Sequence, residues 1–114
     1  MLKKNCRLDF ENNGDELRVL INGEIDHYSA VWVRGEIDEN IAKYRPKSLV
    51  LVLSGIDFMD SSGIGLVMGR YARMQSIGGK LTVRAPSDRV ERILRLAGIE
   101  RIVNIEKGEE EDEK

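Results

Sequence analysis

The sequence predicts an α/β fold, with a mixed, mostly parallel sheet of four or five strands and helices packed on it. The first two apolar segments alternate with polar residues and are joined by a turn, which is typical of an antiparallel hairpin. Later strand-like runs alternate with segments of helical period, which is typical of parallel βαβ crossovers. The 114 residues suit one domain with a core of its own.

The hairpin supplies the antiparallel N-terminal edge of the sheet. Residues 5–10 alternate between apolar and polar side chains, which predicts a half-buried edge strand. Residues 12–15, Asn-Asn-Gly-Asp, are turn-forming. Asn22 and Gly23 are expected to close the second strand. The alternating apolar positions of that strand are Leu17, Val19 and Ile21.

A helix follows, because apolar residues then recur at spacings of three and four. Asp26 or Ser29 can cap its start, since both side chains accept hydrogen bonds from free backbone N–H groups. Pro46 is expected to end it. Its apolar positions are Ala30, Val33, Ile37, Ile41 and Tyr44.

The next strand is residues 49–53, whose unbroken apolar run predicts burial on both faces. Residues 54–60 are expected to form a loop into a second helix that ends at Gly78 and Gly79. The apolar face of this helix consists of Ile64, Val67, Met68, Tyr71 and Met74.

The C-terminal third predicts a strand at residues 81–83, a helix from Pro86 to Gly98 and a short strand at residues 102–105. We therefore expect the domain to span residues 1–105. Residues 106–114 hold six acids and two bases, so they are expected to form a disordered acidic tail that contributes little to stability.

Composition excludes several classes of protein. The net charge is −2 and the body before the tail is nearly neutral, so there is no basic footprint for nucleic acid. The longest apolar run is too short to span a bilayer, and the polar start does not resemble a signal peptide. The one cysteine, Cys6, suits a reducing compartment. We expect a cytoplasmic protein that binds neither nucleic acid nor membrane.

Residues 58–65, Phe-Met-Asp-Ser-Ser-Gly-Ile-Gly, are the most informative segment, because they join a buried strand to a helix. Asp60, Ser61 and Ser62 are common helix caps, and capping alone is one interpretation. The start of a helix also tolerates an anion, so a hydroxyl here is well placed to carry a phosphate. Gly63 keeps the helix start open to a partner.

Three enzymatic or nucleotide-binding alternatives fit poorly. A dinucleotide fingerprint needs its third glycine one position before Gly69, and a P-loop needs a Gly-Lys-Ser/Thr sequence that is missing. A serine hydrolase elbow needs glycine two residues before the nucleophile, where Asp60 precedes Ser62. His27 is the only histidine that could act as its base.

The segment at residues 58–65 resembles the phosphorylation motif of anti-sigma factor antagonists, which are STAS domains, and its sporulation members in particular. Residues 23–27, Gly-Glu-Ile-Asp-His, resemble another segment of that family, with Ile25 in place of leucine. Residues 96–99 resemble the end of its third helix. The resemblance covers about residues 5–105, but the acidic tail replaces the further C-terminal helix that such relatives usually have.

The resemblance implies a partner switch without catalytic residues, metal or cofactor in this chain. The unmodified protein, a monomer when free, binds an anti-sigma factor that is also a GHKL-type serine kinase and so releases a sigma factor for sporulation transcription. The kinase, which holds ATP or ADP, phosphorylates Ser62 and is released, and a serine phosphatase restores the hydroxyl. A STAS module of another switch, such as the general stress response, or one that binds a small ligand, is the alternative.

The topology adds that Asp26 and Ser62 share one face. Each follows a strand, and turns after neighbouring parallel strands emerge side by side at the carboxyl edge of the sheet. The Asp26 carboxylate is then expected to face a basic group on the kinase. We expect the partner to contact Asp26, His27, Asp60, Ser61, Ser62 and Gly63.

Overall fold

The computed structural model describes residues 2–3 and 5–108, and it describes the side chains of residues 5–108. Helices alternate with strands after an N-terminal antiparallel segment, as the sequence predicts. The strands are β1 (Leu2–Lys3), β2 (Cys6–Asn12), β3 (Glu16–Ile25), β4 (Ser48–Met59), β5 (Lys80–Arg84) and β6 (Asn104–Glu106). The helices are α1 (His27–Tyr44), α2 (Ser61–Ser76), α3 (Asp88–Leu96) and a 3-10 turn at Ile99–Arg101.

The six strands lie in the sheet in chain order, from β1 to β6. The pairs β1–β2 and β2–β3 are antiparallel, whereas β3 to β6 run parallel. The mixed, mostly parallel α/β architecture with an antiparallel N-terminal edge is therefore confirmed. The sheet has six strands where four or five were predicted, because a two-residue strand such as β1 is too short to show a periodic pattern.

Two predicted strand ends are wrong, because β3 and β4 both continue past their expected ends. β3 does not close at Gly23 but reaches Ile25, and residues 54–59 are strand rather than loop. Register shifts let the pairing continue from Gly23 opposite Ile56 to Ile25 opposite Met59. Gly23 has a φ of 108°, and a Cβ there would collide with the backbone of Asn5. Gly23 therefore marks an irregularity within β3 and not the end of that strand.

One core cluster lies between the sheet and the helices. From β4 it takes Leu49, Leu51 and Leu53, which alternate along the strand. Val50 points the other way and is buried outside this cluster, and Val52 is only partly buried. The helices contribute Val33, Ile37 and Ile41 from α1, Leu66, Val67 and Met74 from α2, and Val90 and Leu94 from α3.

The C-terminal strand begins later than predicted and extends into the segment assigned to the tail. β6 starts at Asn104, and its last residue, Glu106, pairs with Arg84 at 2.9 Å between Nε and Oε1. The backbone N–H of Ala85 also donates to the carbonyl of Glu106 at 2.7 Å. The predicted disorder of the tail concerns mainly residues 109–114, which lie outside the described residues.

Candidate functional site

The site is built where the parallel strands β3 and β4 end beside each other. Ile25 pairs with Met59 at the carboxyl ends of the two strands. The backbone N–H of Asp60 donates to the carbonyl of Ile25 at 3.1 Å, which joins the two turns. Helices α1 and α2 therefore start side by side. The structure places the turns that hold Asp26 and Ser62 next to each other, as the topology predicts.

Asp26 caps α1 and Ser29 completes the cap. Asp26 Oδ1 accepts hydrogen bonds from the backbone N–H groups of Tyr28, at 3.0 Å, and Ser29, at 2.9 Å. The backbone N–H of Asp26 donates in return to Ser29 Oγ at 2.9 Å. The two cap candidates thus act together as a capping box. These hydrogen bonds, above all that from the Ser29 backbone, lower the pKa of the Asp26 carboxyl.

Asp60 caps α2 and leaves the neighbouring serine hydroxyls free. The backbone N–H of Ser62 donates to Asp60 Oδ1 at 2.8 Å. Ser61 is exposed and Ser62 is partly buried. Neither hydroxyl hydrogen-bonds to another of the residues that the structure describes. The capping interpretation therefore holds for Asp60, whereas the serine hydroxyls are not used as caps.

The glycines of α2 differ in their surroundings. Gly63 is buried, and a Cβ there would come within 2.5 Å of the Met59 sulfur. Gly63 therefore leaves room for the Met59 side chain. A contact between Gly63 and the partner stays a prediction. Cβ atoms at Gly65 and Gly69 would meet no atom within 4 Å. Close packing thus does not explain these two glycines.

A shallow cavity of about 280 Å³ lies between the starts of α1 and α2. Ser62 and Gly65 line it from α2, and His27, Val31 and Arg34 line it from α1. Val31 and Arg34 were not among the site residues predicted from the sequence. Their spacing from His27, four and then three residues, puts all three on one face of a helix and could have revealed them. Exposed apolar side chains nearby are Tyr28, Val31, Phe58 and Met68.

Arg34 keeps a free charge, because the acidic residue one turn later is engaged elsewhere. Asp38 Oδ1 lies 2.9 Å from Nε of Arg70, which is 5% exposed, although the angle is too poor for a hydrogen bond. Leaving a buried charge unpaired costs about 3–5 kcal/mol. An exposed pair one helical turn apart contributes only about 0.3–0.5 kcal/mol. Asp38 therefore stays with Arg70, and Arg34 makes no ion pair with any residue from 5 to 108.

The arrangement does not resemble a hydrolase. His27 and Ser62 line the same cavity, but no hydrogen bond joins them, and the described contact of His27 is edge-on to the ring of Tyr28. A nucleophile and its base need hydrogen-bond reach and a third group that orients the base. Within the described residues there is also no cluster of potential metal ligands, and no helix has the length and apolarity needed to cross a bilayer.

Comparison with known proteins identifies the family. Residues 7–111 match the model of the STAS domain. The chain belongs to the STAS domain family. This STAS domain is 35% identical over 101 residues to the anti-sigma F factor antagonist of Paenibacillus polymyxa, covering 89% of this chain and 86% of that protein. It is 31% identical over 101 residues to the anti-sigma-B factor antagonist of Bacillus subtilis, covering 89% and 91%.

Solved structures agree with this assignment at the level of the fold. Unphosphorylated SpoIIAA, an anti-sigma factor antagonist, matches this STAS domain with a TM-score of 0.78 at 24% identity, covering 92% of this chain and 90% of that one. The phosphorylated form of SpoIIAA matches with a TM-score of 0.72 at 23% identity, covering 92% and 93%. The STAS fold predicted from the sequence is therefore confirmed.

Proposed function

We propose that this STAS domain is an anti-sigma factor antagonist that a partner kinase switches off by phosphorylating Ser62. The observation that carries the proposal is the free Ser62 hydroxyl at the start of α2, beside a cavity and exposed apolar side chains. Two relatives that match most of the chain are named antagonists of anti-sigma factors. The domain acts as the substrate of the modification and not as an enzyme.

In the unmodified state the surface around Ser62 binds the anti-sigma factor, a GHKL-type serine kinase, and a sigma factor is released. The kinase then transfers the γ-phosphoryl group of its ATP to Ser62. The Oγ–P bond forms as the bond to the β-phosphate bridging oxygen breaks. ADP remains on the kinase, and the hydroxyl proton passes to a base of the kinase. Hydrolysis by a serine phosphatase returns phosphate and the hydroxyl.

The phosphate changes affinity at the surface without requiring a new fold. It adds about −1.5 to −2 charges at pH 7. That charge lies close to Asp60 and Asp26, in a face that must lose water to dock. A loss of about 3 kcal/mol lowers affinity roughly a hundredfold. The start of α2 meanwhile stabilises a negative charge, so the domain stays folded.

The sigma factor in question controls sporulation or the general stress response. The anti-sigma F and anti-sigma-B antagonists match this chain over the same length, at 35% and 31% identity. Affinity capture on this protein, from a cytoplasmic extract of the source cells, retains the kinase without its sigma factor. The captured kinase is identified by mass spectrometry and then used as bait without this protein, which distinguishes the two because it binds its own sigma factor.

Phosphate mapping tests the proposal directly. The purified protein is incubated with the candidate serine kinase and ATP, and the site is located by mass spectrometry. Ser62→Ala should abolish incorporation, whereas the matched control Ser61→Ala should retain some of it. Phosphate on Ser61 or on α3 in the unmutated protein would show that the acceptor is wrongly assigned.

A further inference from the structure

The cavity beside Ser62 contains a positive charge that the switch described above does not use. Arg34 and Ser62 face it from opposite helices, and its volume of about 280 Å³ leaves room for a phosphate group on Ser62. Arg34 is exposed and forms no ion pair within residues 5–108, because Asp38 is held by Arg70 at 2.9 Å.

The chemistry of the two side chains is complementary once Ser62 is modified. A guanidinium presents a planar fork of donors that matches phosphate oxygens, and it stays charged at all physiological pH values. The partial positive charge at the start of α2 favours the same anion. The negative charge of Asp60, which caps that helix, opposes it. Arg34 is the cation that offsets this repulsion.

We propose that Arg34 is the intramolecular partner of the phosphate on Ser62 and links α1 to α2 in the phosphorylated state. The inference rests on the proposed phosphorylation site. It assigns Arg34 a place in the switch, because the phosphate neutralises a guanidinium that is exposed and forms no ion pair with residues 5–108 in the unmodified protein. Phosphorylation thus adds negative charge to this surface and removes a free positive charge in one step.

The test uses protein made with phosphoserine inserted at position 62 during synthesis, so that no kinase is needed. The second pKa of the phosphate is measured by phosphorus NMR in the parent, in Arg34→Met and in Arg34→Lys. An ion pair favours the dianion, so Arg34→Met should raise this pKa by about 0.3–0.7 unit, and Arg34→Lys by less. Arg92→Met, which removes an exposed arginine from α3, should leave it unchanged.

Other charged groups face the same phosphate and are controlled for. His27 lines the cavity from α1, so the titrations are repeated with His27→Gln to separate imidazole protonation from that of the phosphate. Asp60 and Asp26 are the same in every variant. Equal melting temperatures of the unphosphorylated variants show that a shift does not come from unfolding.

A phosphate pKa in Arg34→Met equal to that of the parent, or a shift matched by Arg92→Met, would overturn the inference. A shift that shrinks as salt is added supports it, since surface ion pairs are screened. Phosphate mapping with the kinase is a separate experiment. If the kinase modifies another residue, the proposed function fails whatever value the inserted phosphoserine gives.

Discussion

Replacing Asp38 with Asn should destabilise the domain more than the same change at an exposed aspartate. Arg70 is 5% exposed and its Nε lies 2.9 Å from Asp38 Oδ1. Burial lowers the pKa of Arg70, the charge of Asp38 raises it, and the charges of Arg34 and Arg73 lower it further. Arg70 keeps its proton nevertheless, so Asp38→Asn leaves a buried cation without its counter-charge.

The magnitude follows from the burial of the two side chains. Breaking a buried pair by removing one partner typically costs about 3–5 kcal/mol. The Asp38 side chain is 27% exposed, so water can partly replace the lost carboxylate. We expect Asp38→Asn to lower the free energy of unfolding by about 2–4 kcal/mol, a large part of the roughly 5–15 kcal/mol typical of a domain.

The assay is urea unfolding followed by circular dichroism, with a control and a second variant. Asp9 pairs with Arg7 at a similar distance, 3.0 Å, but these side chains are far more accessible to water, with exposed fractions of 44% for Asp9 and 61% for Arg7. Asp9→Asn should therefore cost less than about 1 kcal/mol. Arg70→Met removes the buried charge itself and should cost less than Asp38→Asn, because the carboxylate that remains can reach water. Adding Asp38→Asn to Arg70→Met should then change little.

Two results would contradict this reasoning. One is a loss in the free energy of unfolding for Asp38→Asn that is no larger than the loss for Asp9→Asn. This would mean that the buried guanidinium is hydrated or finds another counter-charge. The other is additivity of Asp38→Asn and Arg70→Met, which would mean that the two side chains do not interact.

Three further predictions use the same domain. Gly63→Ala should lower the free energy of unfolding by about 1–3 kcal/mol, because the added Cβ displaces the Met59 side chain. Gly69→Ala should raise the free energy of unfolding by up to about 1 kcal/mol, because a Cβ there meets open space and alanine favours the helix. Urea unfolding measures both changes. Burial raises the pKa of the Cys6 thiol, and the charge of Asp26 raises it by a smaller amount. Iodoacetamide should therefore modify Cys6 only after unfolding, which mass spectrometry would detect. Rapid labelling of the folded protein would contradict this prediction. The folded state lowers the Asp26 pKa below 3.8, so its stabilising effect is present above pH 3.8 and is lost as pH falls through the folded pKa. In Asp26→Asn, the melting temperature should therefore fall less on acidification than it does in the parent. The same substitution should weaken kinase binding about ten- to a hundredfold, as measured by calorimetry. If the variant and the parent have equal acid sensitivity and equal affinity for the kinase, Asp26 is a helix cap whose charge is not needed.

The features that the sequence predicted well are those set by local chemistry. Asp26 and Asp60 stand before helical patterns, and both cap helices, because a carboxylate accepts from free N–H groups wherever a helix starts. The order of strands and helices also followed from period alone. The ends of β3 and β4 did not, because their extra residues are held by pairing between strands that are distant in sequence.

The cavity could be predicted only in part for the same reason. That Asp26 and Ser62 share an edge follows from topology, whereas the contribution of Arg34 depends on how α1 packs beside α2. The burial of Arg70 was equally hidden, since arginine is rarely buried and nothing in its local sequence marks it. Interactions between helices thus decide the parts of the site that the sequence left open.

The order of the strands in the sheet has a consequence for how the chain folds. Because β1 to β6 are arranged in the sequence in which they are synthesised, each strand joins an existing edge and none must enter between two strands that are already paired. Contacts of moderate sequence separation favour folding at intermediate rates for a mixed domain. The sheet can therefore grow in one direction as the chain leaves the ribosome, with β6 added last.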